Sequence, residues 1–368
     1  MSLKTSETAP ARLQSLDALR GITIILMLLV NNTALEATTP VFVMHAPWNS
    51  GVYMADYVFP WFLYCVGAAL PFSWASQRKK GTSYLQIYLK AAGRTAGLYL
   101  LGCLINSSIA KQPLFTLGVL QLIALAYFVG TLLYVLPLRW RCLAAFFLLS
   151  SYWAFIKFVA IPGVGAGFFE ENMNIIYYLN NTHLRPLGLA GILSVIPTAA
   201  MVMIGSVFGD LFRKKDIDDL TRLRFIFIPA IILCLAGMLW NLSLPYSKAV
   251  WTPAYILLMA GTASITLGIL YFIIDMKGLR RWAYPLIVFG SNAIFAYVVP
   301  ICVKLWIFQE WKMRLADGRM ASMQQWYITG LTSSMGAVMG SWFYTFTYIF
   351  LWWLVLHYLY RKKIFLRV

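Results

Sequence analysis

Apolar runs long enough to cross a bilayer recur along this chain from near residue 19 to near residue 360, and no polar stretch between them is long enough to build a soluble core. A backbone in hydrocarbon must satisfy its own hydrogen bonds, and runs of this length do so as α-helices. Ten spans are expected, at about 19–35, 52–75, 84–107, 114–136, 142–161, 187–211, 224–243, 253–275, 285–307 and 340–360. The fold class that follows is an all-α polytopic membrane protein, with about ten helices around a central pocket. It forms one transmembrane domain over 1–368, behind a polar tail at 1–15. That tail lacks the charged start and small-residue cleavage site of a signal peptide, so the first run is expected to remain as a helix. Hydrophobic residues make up 61% of the chain and charged residues 12%, which leaves few side chains to carry chemistry.

The net charge of +17 would point to nucleic acid in a soluble protein; here it reads as topology, and no nucleic-acid partner is expected. Placing both termini in the cytoplasm puts most of the Lys and Arg on that face. The outer loops are then 36–51, 162–185, 243–252 and 308–339, the last with a short interfacial helix near Trp326 and Tyr327. The five cysteines at 65, 103, 142, 234 and 302 show neither metal spacing nor a disulfide framework and read as buried thiols. No metal site is expected.

Polar groups at the edge of a membrane protein are functional-site hypotheses by default. Asp17 and Arg20 share one face of a helix start, as an interfacial ion pair or as an anion site opening to the cytoplasm. At the other mouth, Asn31 and Asn32 end the first span, and His45 stands in a loop tightened by Pro47, Trp48, Asn49 and Gly51. Asp56 lies about one turn into the second span, where it meets the positive helix end or fixes a nearby imidazole. The two asparagines cap the first helix or donate to a developing oxyanion. Gly118–Gln121, Leu193–Pro197 and Gly290–Ile294 put small and polar residues inside spans, and helix packing accounts for each taken singly.

Together these residues resemble the transmembrane N-acetyltransferase family of lysosomal heparan-α-glucosaminide N-acetyltransferase, and more closely its bacterial relatives associated with N-acetylglucosamine use. The resemblance runs through Leu16-Asp-Ala-Leu-Arg-Gly21, His45-Ala-Pro-Trp-Asn49, Ala55-Asp-Tyr-Val-Phe-Pro-Trp-Phe62, Gly118-Val-Leu-Gln121, Trp251-Thr-Pro-Ala-Tyr255 and Phe289-Gly-Ser-Asn-Ala-Ile294. Leu122 stands where relatives often carry Arg.

The resemblance implies a bacterial inner-membrane enzyme that takes acetyl from cytoplasmic acetyl-CoA, its co-substrate, and passes it to the amine of glucosamine or a glucosaminide in the periplasm. By the match, His45 is catalytic, with Asp56 and Asn31 or Asn32 beside it. Arg20, Arg94, Arg280 and Arg281, with Gln121, Ser194 and Asn292, are the expected acetyl-CoA residues, whereas the Arg78-Lys79-Lys80 run reads as topology. Trp48, Asn49, Glu170, Glu171 and Trp251 lie on the acceptor side. Besides membrane lipid, the resemblance allows a homodimer, which no motif here specifies. The rival functions are an amino-sugar transporter, which would not need His45, and an envelope-glycan O-acyltransferase, which would make esters.

Overall fold

The computed structural model describes residues 13–34, 39–214, 216–315 and 317–366. Among them the chain is helical almost throughout. Its helices are α1 (Gln14–Asn32), α2 (Met54–Lys79), α3 (Tyr84–Ala110), α4 (Val119–Leu133), α5 (Leu138–Phe158), α6 (Ile175–Leu179), α7 (Val195–Arg213), α8 (Asp219–Asn241), α9 (Pro253–Leu270), α10 (Tyr284–Ser291), α11 (Ala293–Val303), α12 (Met323–Met335) and α13 (Ala337–Arg361). Two short antiparallel hairpins, Phe169–Glu170 with Met173–Asn174 and Lys312–Arg314 with Met320–Ser322, lie in the connections.

Local chemistry sets many of the ends. Side-chain oxygens of Ser83, Asp218 and Ser322 accept the N–H three residues on and open α3, α8 and α12. Lys111 in the left-handed region (φ 53°) stops α3, and Gly336 (φ 83°) separates α12 from α13.

Seven helices are individually long and apolar enough to span a membrane: α1, α2, α5, α7 with the turn before it, α8, α9 with its π-helical extension to Met276, and α13. An eighth span is broken. Helices α10 and α11 meet at 78° where Asn292 leaves helical geometry. The chain is thus an all-α polytopic membrane protein; among the described residues seven helices, or eight if the bent pair is one span, meet that measure of length and composition, beside the ten spans expected. The run at 84–107 is helical throughout and that at 114–136 only over Val119–Leu133, and neither meets that measure. Helix α3 carries Lys90, Arg94 and Asn106, and α4 has 15 residues. The stretch before α4 is spent accepting hydrogen bonds from α3: Asn106 Nδ2 donates to Thr116 O (3.0 Å) and Ser107 Oγ to Leu114 O (3.4 Å).

Helices approach through glycine. A Cβ on Gly21 would lie 1.8 Å from Leu286 O, and one on Gly290 would lie 1.8 Å from Asp17 O, so α1 and α10 touch backbone to backbone. Gly67, Gly205 and Gly209 join α2 to α7 in the same way. Helix α9 runs through the centre, with Tyr255, Met259, Ala260, Ala263 and Leu267 fully enclosed. Two cysteines depart from expectation: Cys142 is exposed on α5, because its helix turns that side away from its neighbours, and Cys302 on α11 is half-buried, while Cys65, Cys103 and Cys234 are buried. The helix expected near Trp326 and Tyr327 is α12.

These contacts set the positions of the chemistry. Helices α1 and α2 run in opposite directions, so Asn32 and Asp56 share one end of the bundle while Asp17 and Lys79 share the other. Asp56 and Lys79 are separated by about 35 Å of helix at 1.5 Å per residue.

Candidate active site

Asp56 organises one end of the bundle. It sits in the first turn of α2, where its Oδ2 accepts the Tyr53 N–H (3.0 Å) and so caps the helix. The same oxygen accepts the Ala46 N–H (3.1 Å), which folds the preceding loop back onto the helix. Asn49 (φ 60°) and Gly51 (φ 91°) make the turn that permits this return. Oδ1 is then left for His45, whose Nδ1 lies 2.8 Å away. The carboxylate is 3% exposed and the imidazole 55% exposed, so a buried anion holds a ring that faces outward. With Nδ1–H donated to Asp56, Nε2 is the ring nitrogen left to act as an acceptor.

Lys248, in the connection between α8 and α9, completes the group. Its Nζ lies 3.0 Å from His45 Nδ1, 3.4 Å from Nε2 and 3.6 Å from Asp56 Oδ1, and it donates to Ala55 O (3.4 Å). Burial pushes this ammonium below the ordinary lysine range, and the Asp56 carboxylate opposes that shift. Sequence reasoning placed Lys248 in an outer loop without a role. Its signal was being one of few cations outside the basic loops.

The other expected residues on this side divide. Trp48 packs on Phe169 at 5.0 Å between ring centroids, close to exposed Glu170 and Glu171, whose carbonyls accept from Asn174. Trp251 is buried, in the left-handed region (φ 55°), between Phe59 and Tyr255, and so supports the Lys248 loop from beneath. Among the described residues, no hydrogen bond joins Asn31 or Asn32 to the His45–Asp56 pair. Asn32 Nδ2 donates to Leu28 O (2.8 Å), and Asn31 O accepts from Lys304 Nζ (2.8 Å). Both asparagines line a cavity of about 400 Å³ together with Asn106, Gln121 and Lys304. Gln121 is wholly buried, taking the Gly118 N–H on Oε1 (3.2 Å) and donating to Thr116 O (3.2 Å).

A larger cavity of about 1170 Å³ occupies the opposite half of the bundle. Arg20, Lys79, Lys80, Arg94 and Arg213 line it. Arg20 is held by Asp17 (3.1 Å) and Gly290 O (3.3 Å); Arg94 lies over the Tyr127 ring, and its buried Nε has no partner among the described residues. Val119, Leu120 and Tyr297 form walls of both cavities.

Lys79 and Lys80, read from sequence as topology, are therefore cavity residues, because α2 carries its apolar face and its basic end onto the same space. Arg280 and Arg281 are exposed and outside the cavity lining. Asn292 acts on the cavity wall: its Nδ2 donates to Ile364 O (2.9 Å) and its Oδ1 accepts the Leu366 N–H (3.0 Å), fastening a segment whose Phe365 and Leu366 line the cavity. Ser194 is buried at the start of α7, its carbonyl accepting from Thr198 Oγ1 (2.6 Å). Leu122 lies in the apolar core.

The sequence matches the family described as heparan-alpha-glucosaminide N-acetyltransferase, catalytic, over residues 12–239. A human protein named heparan-alpha-glucosaminide N-acetyltransferase is 25% identical to it over 98% of this chain. The mouse protein of the same name is 24% identical over 99% of this chain. The chain spans 60% and 62% of the lengths of these two relatives.

Proposed function

The chain belongs to the heparan-α-glucosaminide N-acetyltransferase catalytic family, and on that premise we propose that it carries acetyl from acetyl-CoA to the amine of glucosamine or a terminal glucosaminide on the opposite side of the membrane. One observation carries this reading. An outward-facing imidazole on a buried carboxylate stands at one end of the bundle, and a large cationic cavity opens in the other half.

The cavity suits an anionic nucleotide with an acyl arm. It is about 1170 Å³, it presents Arg20, Lys79, Lys80, Arg94 and Arg213, and the buried Arg94 Nε awaits an acceptor. Charged donors of this kind favour phosphate oxygens. The shared walls at Val119, Leu120 and Tyr297 give the arm a direction, toward the smaller cavity where Asn31 and Asn32 could meet the acetyl carbonyl.

At the outer end, His45 Nε2 accepts the proton of the attacking amine, and Asp56 supports the resulting imidazolium through Nδ1. The amine nitrogen bonds to the acetyl carbon, the carbon–sulfur bond breaks, and the proton returns from His45 to the departing sulfur. Trp48 and Phe169 offer ring faces to the sugar, and Glu170 and Glu171 offer charge to the ammonium it carries on arrival, which gives one proton to the surrounding water before the free amine attacks. We take the basic cavity end as the cytoplasmic one, since positive charge marks that face, with His45 then on the periplasmic side.

Purified protein in liposomes, with labelled acetyl-CoA on one side and glucosamine on the other, tests this. N-acetylglucosamine should form, and His45→Ala should abolish it. Sugar crossing unmodified, whatever stands at 45, would make the protein a transporter.

A further inference from the structure

We propose that Lys248 is a positioning residue for His45, holding the imidazole in its uncharged form by neutralising Asp56 from a second side. The inference rests on the reading of His45 as the group that takes the amine proton.

Two opposite charges stand against one ring. The Asp56 carboxylate only accepts, so the His45 Nδ1–H donates to its Oδ1 at 2.8 Å. Lys248 Nζ lies 3.0 Å from Nδ1 and 3.4 Å from Nε2, over the face of the ring, and therefore acts on the imidazole through its charge. An imidazolium would place its charge against an ammonium 3.0–3.4 Å away, and that ammonium already shares the Asp56 carboxylate, at 3.6 Å. With the ring uncharged and Nδ1–H on Asp56, Nε2 offers its lone pair to the substrate.

Among the described residues, the titratable and charged groups about the ring are few. Asp56 comes from α2, Lys248 from the α8–α9 connection, and Tyr255 from α9, its hydroxyl donating to the Asp56 carbonyl; Tyr57 of α2 lies within reach of the Asp56 charge. Phenols are uncharged near neutral pH, so the balance is between one carboxylate and one ammonium.

Lys248 is not a casual surface contact. Its side chain is 27% exposed, and its loop is fastened on every side. Tyr152 Oη donates to Val250 O (2.8 Å), Lys157 Nζ to Ser243 O (3.2 Å), Ser247 N to Thr252 Oγ1 (3.0 Å) and Tyr246 N to Asn241 Oδ1 (2.8 Å). The strained, buried Trp251 anchors its far end.

The test reads His45 without asking for catalysis. Diethyl pyrocarbonate modifies only the unprotonated imidazole, and His45 is exposed enough to react. The rate of its carbethoxylation against pH, followed by peptide mass spectrometry on the detergent-solubilised protein, gives the midpoint of its titration. In Lys248→Met and Lys248→Gln that midpoint should move up by about one pH unit or more, because the opposing charge is gone. Lys248→Arg should stay near the native value. His183 and His357, mapped in the same digests, should keep their native midpoints, which shows that the variants are folded. An unmoved or lowered midpoint in the two neutral variants, or an equal upward move in Lys248→Arg, overturns the proposal. Loss of acetyl transfer as the function would leave this titration intact, so the two readings fail separately.

Discussion

Asp56→Asn isolates the support that His45 receives. The native carboxylate accepts three hydrogen bonds, from the N–H groups of Ala46 and Tyr53 on Oδ2 and from His45 on Oδ1. In the variant, the amide oxygen stays with the two backbone donors, since turning it would leave both buried N–H groups unpaired at about 1–3 kcal/mol each. The amide NH₂ must then face His45 Nδ1. A donor there forces Nδ1 to accept, moves the ring proton to Nε2, and removes the base from the outward face. The lost charge-assisted bond costs about 1.5–3 kcal/mol of imidazolium support, or about 10- to 150-fold in rate at about 1.36 kcal/mol per tenfold. The wrong tautomer adds to that, and the same substitution in a Ser-His-Asp triad lowers kcat about 10⁴-fold. A fall of about 10²- to 10⁴-fold in acetyl transfer is expected, with a small change in melting temperature, because the helix cap survives. The assay is labelled acetyl transfer to glucosamine across proteoliposomes, with His45→Ala as the floor. A folded Asp56→Asn protein within about threefold of the native rate would refute the reasoning and reduce Asp56 to a helix cap.

Other perturbations bear on separate parts of the molecule. Gly290→Ala puts a methyl against the Asp17 carbonyl, where no side chain can yield, and should destabilise the α1–α10 contact by about 1–3 kcal/mol or more, read as a lower melting temperature in detergent. Arg94→Ala should raise the KM for acetyl-CoA by about tenfold with little change for the sugar, whereas Arg281→Ala should leave both within about twofold. Asn292→Leu removes both amide contacts to the segment at 364–366; faster proteolysis there and a raised KM for acetyl-CoA should follow, and an unchanged digestion rate would show that other contacts hold the segment.

The membrane helices were legible from one dimension, because a spanning helix declares itself through length and apolarity alone. Asp56 was legible too, since a carboxylate that near the start of a span needs a partner and His45 stood eleven residues away. What one dimension could not carry was contact between elements. Lys248 reaches His45 from 203 residues away, through a loop whose position depends on how α8 and α9 pack. Lys79 and Lys80 share the signature of ordinary cytoplasmic charge, and only the convergence of α1, α2, α3 and α7 turns them inward onto a cavity. Asn292 looked like one polar residue in a span, yet it stands at a 78° break and holds a segment 72 residues further on. Hydropathy follows from what each residue is, so it survives in the string; a cluster of charges follows from where glycine-lined helices allow backbones to meet, and that is decided only when the bundle closes.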